Sequence, residues 1–439
     1  MAIHELFFFL LILFLPTQLG LHIWPEWAFV LGRRIDYLSP TLFVTDFLLV
    51  FTVVAWFLQN PQIVVSRAIS ALRDRKKLIF MCLLAGFIII NIFVAASKPL
   101  ALYKWIKVLE FAFLAFYITK TKPNKEYVVL ALSVAIFYSS IIAIIQFGLQ
   151  HSIGGPFWLL GERSFRLDTS GIARASLCVS GFLSDCREWL RAYGTFPHPN
   201  VLAGFLTATV PLVLNRMFRP TLYALKIQAG KSIVINFFYN AVACTGIIAL
   251  ILTFSRSSWV IAFLAMSWVW HKRMTASGER HRVWLLMAIS VGLLAAVTFM
   301  FYYFIPFSDE TIGVRQELLR AAVVIWQRSP LVGVGLGNFL VELPRSIPSR
   351  TIYFLQPVHN IYLLVLVETG VIGFIFFSLL LVRILAKFSK DDLFQKGIGI
   401  SLAALLLLGF VDHYLATLQQ GQLLFSLYVG LLLSFEKRR

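Results

Sequence analysis

Charge is what this chain has least of. Of its 439 residues only 14% are charged, whereas 59% are hydrophobic and the mean hydropathy is +0.81. A soluble domain carries roughly 25% charged residues, so the composition excludes a soluble globule. Acids are scarcer than bases: 21 Asp and Glu against 39 Lys and Arg give a net charge of +18. In so apolar a chain this excess follows the tendency of basic residues to gather in cytoplasmic loops, and nucleic acid is not an expected partner. The opening MAIHELFFFLLILFLPTQLG lacks a basic leader region and an A-x-A cleavage site, and reads as a retained first helix. Internal repeats and a disordered tail are also missing.

What is present is a series of apolar runs, near 6–22, 40–58, 79–95, 100–119, 128–149, 198–215, 233–254, 257–270, 284–305, 360–382, 397–414 and 421–435. The expected fold is an all-α polytopic membrane protein of about 12 transmembrane helices. Basic clusters near 67–77, 120–125, 216–231, 272–282, 383–396 and 437–439 each lie an even number of helices from the next. All are then cytoplasmic at once, together with both termini. Two larger external loops remain. The chain divides into N-terminal helices (1–150) read as scaffold, a first external loop (151–197), central helices (198–305), a large external catalytic loop (306–358) and C-terminal helices (359–439).

These two loops lack lysine altogether, and their basic residues, Arg191 and Arg315 among them, are all arginine. Arg256 sits in a tight turn between helices. The arginine fork grips phosphate through two hydrogen bonds and stays charged, which suits an anionic ligand such as a diphosphate. The competing reading is pairing with loop acids such as Glu162, Glu188, Glu317 and Glu342; it applies least to Arg256, which has no acid nearby in sequence.

Helix length adds to this. Asn200, Arg256 and Asp412 each lie sixteen residues from a basic residue at the inner end of their run, Arg216, Lys272 and Lys396. That spacing spans ~24 Å of helix, short of a ~30 Å hydrocarbon core. The three polar groups then share one depth below the outer surface, where ionisable side chains usually face a cavity, although helix tilt or snorkelling of the inner lysines would remove the coincidence. His359, twenty-four residues before Arg383, stands ~36 Å out along its helix and faces that layer from the watery side.

Other features carry less. Gly333, Gly335 and Gly337 mimic part of a dinucleotide fingerprint but follow a helix-like segment, which points to a tight turn. His198, His359 and His413 have no metal-ligand spacing and no cysteine joins them, so no metal is expected. Glu368 follows His359 by nine residues and falls on the opposite helix face, towards a neighbouring helix. Cys82 and Cys244 read as core thiols. Cys178 and Cys186, in an external loop of an oxidising compartment, are expected to form a disulfide around SGFLSD.

The strings RAYGTFPHPNVLAGFL, SRSSW, VRQELLRAAVVIWQRSPLVGVGLGNF and HNIYLLVLVETGVIG stand in an order and spacing that resembles the O-antigen ligase and polymerase superfamily of membrane glycosyltransferases. The resemblance covers roughly residues 190–415. It implies a glycosyltransferase-C-like fold in the cytoplasmic (inner) membrane. The implied activity moves a glycan from an undecaprenyl diphosphate carrier to an acceptor hydroxyl or amine at the outer face, without nucleotide sugar, metal or cofactor. By motif, Arg256 and Arg315 would hold the diphosphate and His359 would be the catalytic histidine. Arg191 matches less closely as a third diphosphate ligand, and Asp412, Asn360 and Glu368 as supporting residues. A histidine with an ordinary pKa of ~6.5 is largely neutral near pH 7 and can take a proton from the incoming hydroxyl. A polysaccharide polymerase and a protein O-oligosaccharyltransferase share this donor grip, and the acceptor, whether glycan, lipid or protein, stays open. A lipid-linked glycan flippase is the reading from another class. It would line a central path with polar groups along many helices, whereas here they concentrate outside and at one depth.

Overall fold

The computed structural model describes residues 1–62, 73–178, 186–217, 229–276, 309–346, 355–387 and 393–435. Long apolar runs satisfy their own backbone hydrogen bonds as helices, which is what a bilayer demands. In chain order these are α1 (Ile3–Leu13), α2 (Val44–Gln59), α3 (Arg75–Val94), α4 (Lys98–Thr121), α5 (Lys125–Leu149) and α6 (Pro199–Met217). They continue as α7 (Ala229–Leu252), α8 (Arg256–Ala276), α9 (Asp309–Arg328), α10 (Ile361–Leu385), α11 (Leu393–Leu408) and α12 (Gln419–Leu433). All but α9 coincide with expected apolar runs; the run at 284–305 lies outside the described residues. Helices α3, α5, α10 and residues Val234–Leu252 of α7 are long and apolar enough to cross a membrane, and the apolar parts of α1, α2, α6 and α11 are shorter. The chain is a multi-pass helical membrane protein.

Two expectations are corrected. The helix expected over 6–22 ends at Leu13, because Pro16 has no N–H to donate and its ring clashes with the carbonyl four residues back. Nor is the chain purely α. Strands β1 (Gly20–His22) and β4 (Thr41–Phe43) pair antiparallel with Gly20 opposite Phe43, and between them β2 (Phe29–Val30) pairs with β3 (Arg33–Arg34). Between α5 and α6, β5 (Arg174–Cys178) pairs with β6 (Cys186–Leu190) and sets Cys178 opposite Cys186. The side chains of these two cysteines lie outside the described part of the chain.

Helix α6 is the hub of the bundle and touches α5, α7, α8 and α11. Its buried Leu202 and Leu206 share one apolar core with Phe8, Leu132, Ile136 and Tyr428. A second core lies towards the site. There the amphipathic α9 buries Leu318, Ala321, Ala322 and Ile325, spaced as one helix face, against Phe339, Leu364 and Val367. This packing fixes Arg315 near the start of α9.

Helix α10 is broken at Gly370, which adopts φ +65°, ψ −173°. The loop after α9 supplies the missing backbone partners: Val334 and Gly335 N–H donate to the carbonyls of Val367 and Glu368 (3.0 Å each), while Val371 and Ile372 N–H donate to Pro330 and Leu331 (2.9 and 3.1 Å). Contact this close requires glycine. A Cβ on Gly333 would stand 2.4 Å from the Glu368 carbonyl carbon, and one on Gly370 2.3 Å from that of Leu331. Gly333, Gly335 and Gly337 all have positive φ, so the glycine run is a docking turn onto a broken helix.

Candidate active site

The site is built where α6 begins. Pro199 occupies the first helical position, where its missing N–H costs nothing. The Asn200 N–H donates to His198 Nδ1 (3.1 Å), which leaves the proton of a neutral His198 on Nε2. The Asn200 side chain then bridges two charges. Its Oδ1 accepts from Arg191 Nη2 (2.6 Å), and its Nδ2 donates to Asp412 Oδ2 (3.0 Å). Arg191 Nε also donates to the Thr253 carbonyl (2.6 Å). That carbonyl lies in the turn where Phe254, at φ +52°, separates α7 from α8 and brings Arg256 to the first turn of α8.

Asp412 lies beyond the end of α11, and its Oδ1 accepts the His413 N–H (2.7 Å). His413 Nδ1 is 2.8 Å from Thr417 Oγ1. The His413 ring stands edge-on to two others, His359 with centroids 5.1 Å apart and Tyr37 at 5.3 Å. Arg315 Nη1 reaches the Val411 carbonyl at 3.4 Å. Asn360 caps α10, accepting the Leu363 N–H at 2.9 Å, and holds the Phe410 carbonyl at 3.3 Å. Capping is thus done by Asn360, and His359 is left with a buried Nδ1 that has no hydrogen-bond partner among the described residues.

Electrostatics follow from one buried acid among many bases. Burial works to raise the Asp412 carboxyl, but His413, His359 and His198 outweigh it and hold the group below its ordinary value. His359 is pushed down to about 4 by burial, then by His413 and Arg315, against the pull of Asp412. Burial followed by the charge of Arg191 takes His198 to about 3, and burial also lowers His413. All three imidazoles are therefore neutral near pH 7. Arg191 falls to about 10 through burial, with Arg315 and Arg256 adding to the effect, and stays charged. An anion bound here would stabilise the imidazolium form and raise the histidines, so ligand charge and base strength are linked.

Arg191, Asn200, Arg315, His359, Asn360 and Asp412 thus come together, and Arg256 lies within electrostatic reach of Arg191. Glu368 stands apart. Its carboxylate accepts the Phe339 N–H (3.3 Å) in the docked loop and interacts with Lys104 of α4. Cys178 and Cys186 belong to the β5–β6 hairpin. Among the described residues no set of three His, Cys, Asp or Glu side chains is arranged to hold a metal ion. Sequence reasoning weighed His198 and His413 only as metal ligands and missed Tyr37. The usable signal was adjacency, since His198 lies two residues before Asn200 and His413 directly follows Asp412.

A family model described as O-Antigen ligase matches residues 241–378, a stretch that carries Arg256, Arg315 and His359. Arg191, Asn200 and Asp412 fall outside the matched stretch. No curated protein matches the chain.

Proposed function

We propose that the chain is an O-antigen-ligase-like enzyme, a reading supported by the family match over residues 241–378, and that it transfers a glycan from an undecaprenyl diphosphate carrier to an acceptor hydroxyl or amine at the outer face of the cytoplasmic membrane. The observation that carries this reading is the convergence of segments 191–200, 315, 359–360 and 411–413 on a neutral histidine whose Nδ1 is unpartnered among the described residues. Arg256 and Arg315 balance the charge of the diphosphate and so make it a leaving group. His359 takes the proton of the acceptor hydroxyl as its oxygen bonds to the anomeric carbon. The bond from that carbon to the phosphate oxygen breaks, and its electron pair leaves on undecaprenyl diphosphate. Attack from the face opposite the diphosphate inverts the anomeric centre; a product of retained configuration would contradict this step.

Arg191 has a different part. Two of its nitrogens are engaged by Thr253 and Asn200, so it positions the cluster and adds positive charge. Asp412 orients Asn200 and the His413 backbone. The reaction needs no metal in this scheme, and transfer in the presence of a chelator checks that. The orientation that goes with it keeps both termini cytoplasmic and residues 151–197 and 306–358 outside. Single cysteines probed with an impermeant thiol reagent test it, and labelling of the 60–77 loop in intact cells would reverse it. A disulfide between Cys178 and Cys186, set opposite each other by the hairpin register, belongs to the same outer surface; two free thiols in non-reduced protein would reject it. The reaction itself is tested by incubating purified protein with a lipid-linked glycan and candidate acceptors. Release of undecaprenyl diphosphate matched by a glycosylated acceptor is expected.

A further inference from the structure

A cleft of about 600 Å³ opens beside the histidines, in the range of ~300–1,000 Å³ typical of small-molecule sites. Its walls come mostly from the N-terminal segment between α1 and α2, the segment between α5 and α6 and the start of α12, all of which lie outside residues 241–378. Three aspects of its chemistry point the same way. One wall presents a flat aromatic face, Trp158, which is 59% exposed; Trp24, which also lines the cleft, is stacked on His22 with centroids 5.6 Å apart and has Arg34 over its ring at 5.4 Å. Three glutamines in the lining are held by their amide nitrogens, Gln18 to the Gly161 carbonyl (3.0 Å), Gln420 to Thr17 (2.9 Å) and Gln422 to Ala416 (2.6 Å). Their positions are thereby fixed in advance, which lowers the entropy lost on binding. The carboxylate of Asp36 is exposed and makes no hydrogen bond or ion pair with another described side chain.

An exposed aromatic face, anchored amides and an open carboxylate suit a ligand with apolar ring faces and many hydroxyls, which is a carbohydrate. Position decides which carbohydrate. Tyr37 and Thr417 line the cleft, and each touches His413. His198 lines it as well. The cluster arginines Arg191, Arg256 and Arg315 do not line it; of the cations that do, Lys107 is held by Asp46 and Glu110, Lys104 interacts with Glu368, and Arg163 reaches the Pro197 carbonyl at 3.5 Å. We propose that this cleft is the acceptor subsite, holding an acceptor oligosaccharide with one hydroxyl directed at the histidine cluster. The inference rests on the glycosyltransferase reading and deepens it by naming the acceptor as a glycan.

Trp158→Ala and Asp36→Asn change exposed side chains, so both proteins should keep the wild-type melting temperature. The probe is oligosaccharide released by mild acid from the cell envelope that houses the protein. Its binding to nanodisc-embedded enzyme is followed by saturation-transfer NMR, alongside steady-state transfer kinetics. Each variant is expected to weaken oligosaccharide binding and raise the acceptor KM by about 10-fold, while kcat and the donor KM stay within about 2-fold. An unchanged acceptor KM in both variants would overturn the cleft assignment and leave the glycosyltransferase reading intact. A raised donor KM with an unchanged acceptor KM would also overturn it, by assigning the cleft to the donor glycan. If the wild-type protein binds the oligosaccharide through Trp158 but transfers nothing to it, the cleft stands as a sugar site and the transferase reading fails.

Discussion

Two clusters of buried ionisable groups lie at the site end of the bundle, and they are built on opposite plans. In the first, Lys107 of α4 donates to Asp46 and to Glu110, each at 2.7 Å. Asp46 also accepts from Gln419 and from the Phe43 N–H. Opposite charges meet directly, and Glu110 Oε1 has no hydrogen bond among the described residues. The second cluster gathers Asp412 with His198, His359, His413 and the arginines. Its single acid is shared, its histidines are neutral and its cations repel one another. Ion pairing of the first kind locks helices together, whereas the second gathers like charges around neutral imidazoles, an arrangement typical of functional sites.

Substitutions sharpen that contrast, beginning with the largest expected effect. Arg256→Ala should abolish measurable transfer, and Arg256→Lys, which keeps the charge but not the fork, should retain part of it while binding donor more weakly. Transfer assays of the two proteins side by side check this. In the closed cluster, Lys107→Met should cost stability in place of chemistry. Leaving two buried carboxylates without their cation costs about 3–5 kcal/mol, visible as a lower melting temperature in detergent with turnover per folded molecule unchanged. Gly335→Ala, at φ +93° with its new Cβ 2.3 Å from that of Ala95, should loosen the loop docked on α10. A loss of about 1–3 kcal/mol is expected, and thermal unfolding reads it.

The pH response should be smaller and of fixed sign. His359 has a folded pKa of about 4 against an ordinary 6.5, so the unfolded chain binds more protons between those values. Its contribution to stability is therefore complete above pH 6.5 and is lost as pH falls towards 4. Transfer by the free enzyme, measured as kcat/KM, should decline through the same acid limb. The limb in kcat should lie at higher pH, because bound diphosphate raises the histidine.

Much of this was legible beforehand. Hydrophobic runs located α2 to α8 and α10 to α12, because a membrane helix must be long, apolar and internally hydrogen-bonded, although α8 runs six residues past its expected end and α11 stops six short of it. Counting helix rise set Asn200, Arg256 and Asp412 in one layer; the side chains of Asn200 and Asp412 meet at 3.0 Å, although α11 ends at Leu408 and Asp412 lies four residues beyond it. The first helix was overestimated because hydropathy ran on across Pro16. Neither the cleft nor Tyr37 was legible, since both depend on how residues 18–43 fold back over α4 and α12, and that segment has only short strands of weak pattern. His198 and His413 were dismissed by sequence spacing, which is blind to residues more than 200 positions apart that meet through Asn200 and Asp412.

The most direct test of the transfer mechanism separates binding from chemistry at His359. Donor affinity and single-turnover transfer should be measured for wild-type and His359→Ala protein with the same lipid-linked glycan. The account predicts nearly unchanged donor affinity and a turnover reduced by about 100- to 10,000-fold, the usual worth of a positioned proton acceptor. A well-folded His359→Ala protein that transfers at the wild-type rate would contradict it, and weakened donor binding with unchanged turnover would move His359 into the phosphate grip.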